Sequence, residues 1–498
     1  MTSMDLSVTA PASKSVAAPA GKLSVGLLTA LVIGSMVGSG VFSLPQNMAS
    51  GAGGMAIMIG WLITGIGMLA LAFVFQGLAT RKPELDAGPY AYALAGFGEF
   101  VGFNSAWGYW LSAWIGNVSY LVILFSALAY FFPAFGDGNT WPAILGASVV
   151  LWLVHGLVLA GVREAVIVNA VTTIAKVAPI VLFIGLVAAA FHWAMFSGAA
   201  PVTQVAPAAG GAVPAALGSL LDQVKSTMLV TLWAFIGIEG ASVVSARAVK
   251  RSDIGVATVS GLLICLALYM SVSLLALGVM SQPELAALKN PSMAGVLERV
   301  AGPWGAILIS VGLVISVLGA FLSWTLLAAE VPYVAAKGGT MPKALAMENA
   351  KRAPFVSLWV TNGLVQLFLI VTYFYSATYN GLFTIASAAI MVPYVLSGAY
   401  ALKIALTRES YAQGEATARD IVIGVVATAY GLWLVYAAGP KYLFLCAILY
   451  AIGIAVYLWT RNERSEPLFR GFKALMAAGL ALAGCVAAYL LWSGGLSI

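Results

Sequence analysis

The chain has 498 residues, of which 8% are charged and 61% are hydrophobic, and its mean hydropathy is +0.98. Soluble domains carry about 25% charged residues, so this composition excludes a soluble enzyme, a disordered chain and a fibrous protein. The formal net charge of +6 does not indicate a nucleic-acid partner, because most basic residues fall in predicted cytoplasmic loops.

Thirteen apolar runs approach or exceed the length of about 20 residues that a helix needs to cross a bilayer. They are numbered here as spans 1 to 13: 24–48, 55–79, 98–131, 142–160, 166–191, 226–247, 255–279, 304–334, 355–375, 380–402, 419–437, 442–460 and 474–493. Residues 1–22 are rich in Ala, Ser and Pro and are predicted to be a disordered tail. They are not predicted to be a signal peptide, because the apolar run that follows is too long. The sequence therefore predicts an all-α polytopic membrane protein.

The placement of Lys and Arg predicts the orientation, because these residues gather in cytoplasmic loops. With the N-terminus inside, nineteen of the 24 basic residues fall on the cytoplasmic side and four on the outside. The remaining one, Lys176, lies within span 5. Thirteen spans then place the C-terminus outside.

Spans 1 and 6 are predicted to be broken near their centres. Span 1 contains the run Gly-Ser-Gly at 38–40, and span 6 contains Gly237 and Gly240 on either side of Glu239. Glycine disfavours a helix interior by about 1 kcal/mol relative to alanine. The two spans run in opposite directions as the first members of two five-helix halves, and paired interruptions in inverted repeats point to a transporter site. Notches for helix packing are the alternative interpretation.

This organisation predicts four regions after the tail: a first repeat at 23–192, an extracytoplasmic loop at 193–225, a second repeat at 226–403 and three accessory spans at 404–498. Broken half-helices expose N–H groups that suit a carboxylate and carbonyls that suit an ammonium group, which favours an amino acid ligand. The sequence contains no nucleophile with a nearby base, no phosphate-binding loop and no metal-ligand spacing. We therefore expect a transporter without a cofactor or metal.

Two ionisable residues within spans stand out. Glu239 is the one carboxylate near the middle of a span, and a charge at that depth is functional by default. We expect it to sense substrate and couple the gates, the alternative being a protonated glutamate bonded to a neighbouring helix. Lys176 is the one cation within a span, and the alternative to a functional role is a lysine that snorkels from a helix end.

Four stretches resemble the amino acid–polyamine–organocation superfamily: IGSMVGSGVFSLPQNMA (33–49), AWGYWLSAWIGNVSY (106–120), TLWAFIGIEGASVVSARAVKRSD (231–253) and GAFLSWTLLAAEVPYVAAK (319–337). Within it they are most similar to the bacterial basic amino acid antiporters. The resemblance implies an inner-membrane protein with a periplasmic C-terminus that exchanges extracellular L-arginine for intracellular L-ornithine, without net charge movement, for the arginine deiminase pathway. A homodimer in the lipid bilayer is compatible with it. The alternatives are arginine–agmatine or lysine–polyamine exchange, proton-coupled uptake and a membrane amino acid sensor.

The resemblance also implies roles for individual residues. Ser39 and Gly40 would bind the substrate carboxylate, and the backbone of Met36 and Val37 would contact the α-amino group. Asn117 would contact the head group, and Trp324 would pack along the aliphatic and guanidinium part.

On span 6, the resemblance implies that Trp233 and Glu239 act as gating residues, with Ala234 and Ile236 between them on the substrate side. Tyr109 and Tyr394 would line the two gates, and Lys176 would replace the sodium ion of related transporters. These assignments give the predicted site two tryptophans, which suit a guanidinium group because a cation over an indole face is stabilised by about 0.5–2 kcal/mol. Ala386 departs from the arginine–agmatine relatives, which carry serine there, and Ser387 is adjacent.

Overall fold

The computed structural model describes residues 24–85, 88–161, 165–197, 217–240, 249–250, 252–469 and 471–496. Helices dominate these residues, and no strand occurs among them. The predicted tail at 1–22, most of the predicted loop at 193–225 and the second part of span 6 lie outside the described residues. The prediction of an all-α membrane protein is confirmed.

The helices follow the predicted spans closely. Those that coincide with spans 1 to 6 are Val25–Met36 with Gly40–Ser43 and Leu44–Ala49, Gly54–Arg81, Glu99–Leu128, Trp141–Leu159, Ala165–Ala189 and Leu220–Phe235. Those that coincide with spans 7 to 13 are Ser252–Ala276, Pro303–Lys337, Phe355–Tyr375, Tyr379–Thr407, Ala418–Glu463 and Phe472–Trp492. Shorter helices at Pro89–Phe97, Trp193–Phe196, Gln282–Ala286 and Ser292–Ala301 connect them.

Nine helices in the described part of the chain are long and apolar enough to cross a membrane, and the bent pair in span 1 makes ten. The helix Ala418–Glu463 covers predicted spans 11 and 12 together, with a non-helical residue at Gly439 before Pro440. Gly439 allows the sharp turn between the two spans, because glycine adopts its φ of 73° without strain. The count of thirteen spans and the inverted repeat stay predictions.

The start of span 6 differs from its predicted position, whereas span 3 starts within one residue of the predicted position 98. The helix of span 6 begins at Leu220, six residues before the predicted start, because the Ser219 side chain accepts a hydrogen bond from the Asp222 backbone N–H and caps it. Span 3 begins after a separate helix, Pro89–Phe97, that ends where Gly98 adopts a φ of 85°. A polar residue pattern before an apolar run does not by itself reveal such caps.

Span 3 lies in the middle of the bundle, where it packs against spans 8 and 10 and is buried along almost its whole length. Span 13 is the opposite case, since Phe472, Leu475 and Trp492 on it are exposed. An exposed apolar helix of this kind fits a lipid environment. The centre of the bundle, around spans 1, 3, 6, 8 and 10, is therefore where a site can be enclosed.

Candidate functional site

Both predicted breaks occur, and they contact each other. In span 1 the helix ends at Met36 and resumes as a tight 3₁₀ turn at Gly40, with a bend of 42° between the two parts. In span 6 the helix ends at Phe235 and a turn follows through Glu239. The Ser35 hydroxyl donates a 2.8 Å hydrogen bond to the Gly237 carbonyl, which joins the two breaks directly.

Gly237 allows this close approach. Its φ is 110°, a conformation that residues with a side chain rarely adopt. A Cβ atom at this position would lie 2.8 Å from the Ser35 carbonyl oxygen. Glycine is therefore required both by the backbone conformation and by the neighbouring chain.

One side of the site is closed by Trp233 and Tyr379. The Tyr379 hydroxyl lies 3.0 Å from the Ser39 hydroxyl and accepts a 3.1 Å hydrogen bond from the Trp233 indole N–H. Gly40 and Gly116 make room for the indole, since a Cβ on either would lie 3.0 Å from it. This cluster, which we call the outer closure because the predicted orientation places it toward the outside, ties span 1 to spans 6 and 10.

The opposite side is closed by Glu239. Its carboxylate accepts a 2.5 Å hydrogen bond from the Tyr109 hydroxyl and a 2.8 Å hydrogen bond from the Tyr394 hydroxyl. The Tyr109 ring also stacks on Trp324, with 6.4 Å between ring centroids. We call these residues the inner closure. Tyr109 and Tyr394, both predicted to be gate residues, bind the same carboxylate, and their role in gating stays a prediction.

A small cavity lies between the two closures. Its volume is about 10 Å³, which is at the lower limit for a single water molecule. It is lined by Ser112, Ala113, Gly116, Tyr120, Trp233, Ile236 and Trp324. The structure therefore shows a closed form, in which an amino acid enters only after side chains or helices move apart.

Buried polar atoms near this cavity have no protein partner. They are Ser112 Oγ and Asn117 Oδ1. Asn117 retains one long contact, 3.5 Å from its amide to the Thr325 hydroxyl. Leaving a buried polar atom unpaired costs about 1–3 kcal/mol, so these atoms are suited to bind a polar ligand or water. Ser387 Oγ is also buried without a protein partner, one residue from Ala386, where the resemblance leads us to expect serine in the arginine–agmatine relatives.

The remaining predicted residues of span 1 are buried, but part of their backbone is already engaged. The Met36 carbonyl accepts a hydrogen bond from the Gly38 N–H at 2.9 Å. The Ser316 hydroxyl of span 8 donates to the Gly38 carbonyl at 3.1 Å and to the Val37 carbonyl at 3.4 Å. The predicted contacts of Met36 and Val37 with an α-amino group stay a prediction.

Of the remaining predicted residues of span 6, Ile236 lies at the cavity and Ala234 lies beside Gly40. The Ala234 backbone lies 3.5 Å from the point where a Cβ on Gly40 would stand, and Ile236 lines the cavity wall. Both residues lie next to the place where the helix ends at Phe235. The predicted set Trp233, Ala234 and Ile236 is thus brought together around the end of this half-helix.

Lys176 is completely buried, and its ammonium group donates a 3.0 Å hydrogen bond to the Gly34 carbonyl. A lysine that reaches an interface would be partly exposed, so the snorkelling alternative does not hold. Span 5 is thereby joined to span 1 one turn before the break, on the same stretch of backbone that Ser316 contacts from span 8. The ammonium group lies where a cation would stabilise unpaired carbonyls.

The sequence reasoning missed Tyr379, Tyr120 and Ser316. Tyr379 lies just before predicted span 10, and Ser316 is one of several serines in the apolar spans. Nothing in the sequence around either residue indicates a role in the site. Tyr120 is the last residue of the stretch 106–120, and its hydroxyl lies 2.6 Å from the point where a Cβ on Gly38 would stand. That close contact gives a physical reason for glycine at 38.

A charge network closes the cytoplasmic ends of spans 2 and 11 in the predicted orientation. Arg81 lies 2.8 Å from Glu415 and 3.0 Å from Asp420. The Arg81 hydrogen bond lowers the pKa of the Glu415 carboxyl, so this pair holds at neutral pH and weakens in acid. Burial and the hydrogen bond to Asp420 raise the pKa of Tyr411 to about 12, so that hydroxyl stays a donor.

Among the residues that the structure describes, no group of three or more His, Cys, Asp or Glu side chains could hold a metal ion. The candidate site is therefore built from backbone breaks, aromatic rings, hydroxyls and one carboxylate. Such a site is suited to enclose a small polar molecule.

The fold and site define a polytopic permease, and comparison with known proteins agrees. The family model described as amino acid permease matches residues 23–489, so the chain belongs to this family. The arginine/ornithine antiporter of Pseudomonas aeruginosa is 52% identical over 484 residues, which cover 96% of this chain and 98% of that protein. An Escherichia coli (strain K12) relative whose name also contains arginine and ornithine is 48% identical, over 94% of this chain and 98% of its own length.

An arginine/agmatine antiporter of Chlamydia pneumoniae is 44% identical over 437 residues, which cover 86% of this chain and 88% of that protein. All three relatives match along most of their length.

Proposed function

We propose that this protein exchanges extracellular L-arginine for intracellular L-ornithine across the bacterial inner membrane. The observation that carries the proposal is the enclosed space between the two closures, beside the break in span 6, which is bounded by Trp233 and Trp324. Free backbone groups at a break suit the charged head of an amino acid. Indole faces suit a cationic side chain. The 52% identical relative named for arginine and ornithine supports this choice of substrates.

The exchange moves no net charge. Arginine and ornithine each carry about one net positive charge near pH 7, given the usual side-chain and terminal pKa values. One-for-one exchange is then driven by the two concentration gradients alone. No soluble energy-supplying domain is needed for such a cycle.

Alternating access follows from the two closures. The outer closure opens when Tyr379 leaves Ser39 and Trp233, and the inner closure opens when Tyr109 and Tyr394 leave Glu239. Movement of one five-helix half against the other would open them in turn. In this proposal the N-terminus is cytoplasmic, the C-terminus is periplasmic and thirteen spans cross the membrane.

Lys176 makes sodium unnecessary in this proposal. Its ammonium group binds the Gly34 carbonyl beside the break and ties spans 5 and 1 together, as a bound cation would. The arrangement supplies a fixed positive charge at a point where carbonyl groups are no longer paired within a helix.

Arginine–agmatine exchange is the second candidate, because the Chlamydia pneumoniae relative carries that name at 44% identity. Agmatine lacks the carboxylate of arginine, so an exchanger of this kind would have to accept a substrate without the group that Ser39 and Gly40 are proposed to bind.

Counterflow in reconstituted vesicles tests the proposal. Vesicles preloaded with ornithine should accumulate labelled arginine at least about tenfold faster than empty vesicles, because each arginine that enters requires an ornithine that leaves. Replacing external sodium by choline should leave the rate unchanged. Accumulation by empty vesicles under a proton gradient would contradict exchange, and faster entry with agmatine inside than with ornithine inside would favour the second candidate.

A further inference from the structure

A second cavity lies above the outer closure, and we call it the vestibule. Its volume is about 460 Å³, which is ample for an amino acid. Residues that matter for its chemistry are Asn47, Lys225, Asn380, Phe383, Lys441 and Tyr442. Phe383 connects it to the closed site, since its ring also packs against Trp233 with 5.8 Å between centroids.

The charges that line the vestibule are two lysines. Lys225 lies on the half-helix of span 6, eight residues and about 12 Å before Trp233. Lys441 follows the sharp turn at Gly439 and Pro440. No Asp or Glu lines this cavity in the described part of the chain. Asp222 approaches Lys225 to 3.9 Å but is mostly exposed, so it screens that ammonium group only in part.

Two lysines at the entrance to a site for cationic substrates need a physical reason. Positive charge in a cleft repels every cation, but the repulsion depends on which end of the molecule enters first. An amino acid that enters with its carboxylate leading places a negative charge beside the ammonium groups and its cationic side chain behind. A decarboxylated dication carries a positive charge at both ends, so neither end can enter first without repulsion from the lysines.

We propose that Lys225 and Lys441 form an entry filter that admits basic amino acids carboxylate first and rejects decarboxylated dications from the outside. This inference rests on the proposed function and on the predicted orientation. The filter discriminates by repulsion of the wrong molecule as well as by attraction of the right one. It also delivers the carboxylate toward the break in span 1, where Ser39 and Gly40 lie.

Competition measurements in right-side-out vesicles preloaded with ornithine test the filter. Labelled external arginine is the substrate, and external agmatine and L-argininamide, both without a carboxylate, are the competitors. In Lys225→Gln/Lys441→Gln the inhibition constants of both competitors should fall on the order of fivefold relative to the KM of arginine. High salt should produce the same change in the unsubstituted protein and little further change in the variant.

A charge-matched variant provides the control. Lys289→Gln/Arg299→Gln removes two exposed positive charges from the same predicted face outside the vestibule, and it should leave the ratio unchanged. An equal effect of this control, an unchanged ratio in the vestibule variant, or an equal loss for arginine and both competitors would overturn the filter. Failure of the exchange proposal is a different result, because the unsubstituted protein would then show no ornithine-dependent arginine entry, and the filter would fall with it.

Discussion

Replacing Glu239 by glutamine is expected to slow arginine–ornithine exchange by on the order of 10- to 100-fold. The carboxylate accepts hydrogen bonds from Tyr109 at 2.5 Å and from Tyr394 at 2.8 Å. Each hydrogen bond to a charged group contributes about 1.5–3 kcal/mol. Glutamine keeps one acceptor oxygen but turns the other into an amide donor, so one tyrosine must reorient and the inner closure forms less well. Initial counterflow rates in reconstituted vesicles measure the effect.

The pH profile separates gating from a structural role. Only an ionised carboxylate accepts both tyrosine hydroxyls at full strength, so exchange by the unsubstituted protein should decline in acid and exchange by Glu239→Gln should be flat over the same range. Glu298→Gln, which neutralises an exposed carboxylate, serves as the control and should behave like the unsubstituted protein. A Glu239→Gln variant with the normal rate and an unchanged pH profile would rule out the proposed coupling.

Replacing Gly237 by alanine should abolish most exchange while leaving the protein in the membrane. Alanine at a φ of 110° carries backbone strain of about 1–3 kcal/mol. Its Cβ would also lie 2.8 Å from the Ser35 carbonyl oxygen, which is a backbone atom that cannot rotate away. The two breaks must then separate, and the hydrogen bond from Ser35 to the Gly237 carbonyl is lost. We expect at least about a tenfold loss of counterflow.

Gly363→Ala is the matched control for this variant. Gly363 lies within the helix Phe355–Tyr375, and a Cβ there would meet nothing within 4 Å. Alanine should therefore stabilise that helix slightly, by about 1 kcal/mol or less, and leave exchange unchanged. Elution of both variants as single peaks in size-exclusion chromatography would show that they fold. Normal exchange by folded Gly237→Ala would contradict a site formed where the breaks meet.

Sequence reasoning located the breaks because glycine within an apolar run is a local signal. The Gly-Ser-Gly run at 38–40 and Gly237 beside Glu239 are visible without any knowledge of tertiary structure. The prominence of Glu239 and Lys176 has the same origin, since a charge within an apolar span is costly. Their contacts, to two tyrosines and to the Gly34 carbonyl, link distant spans and could not be read from spacing.

The outer closure is the part of the site that the sequence does not predict. Tyr379 lies outside the predicted span 10, and tyrosine is common near membrane interfaces, so nothing in its neighbourhood marked it. Its role depends on contacts with Ser39, 340 residues away, and with Trp233, 146 residues away. In the sequence, the vestibule lysines are only two of the four basic residues on the predicted outside. Their shared cavity is a property of the folded bundle.

A structure with arginine bound tests most directly whether the two breaks form the substrate site. We predict that the arginine carboxylate lies within hydrogen-bond distance of the backbone at Ser39 and Gly40, and that the guanidinium group stacks on Trp324 or Trp233. The cavity between the closures should have expanded from about 10 Å³ to enclose the ligand. Arginine bound elsewhere, with both closures unchanged and spans 1 and 6 continuous through their centres, would contradict the proposed mechanism.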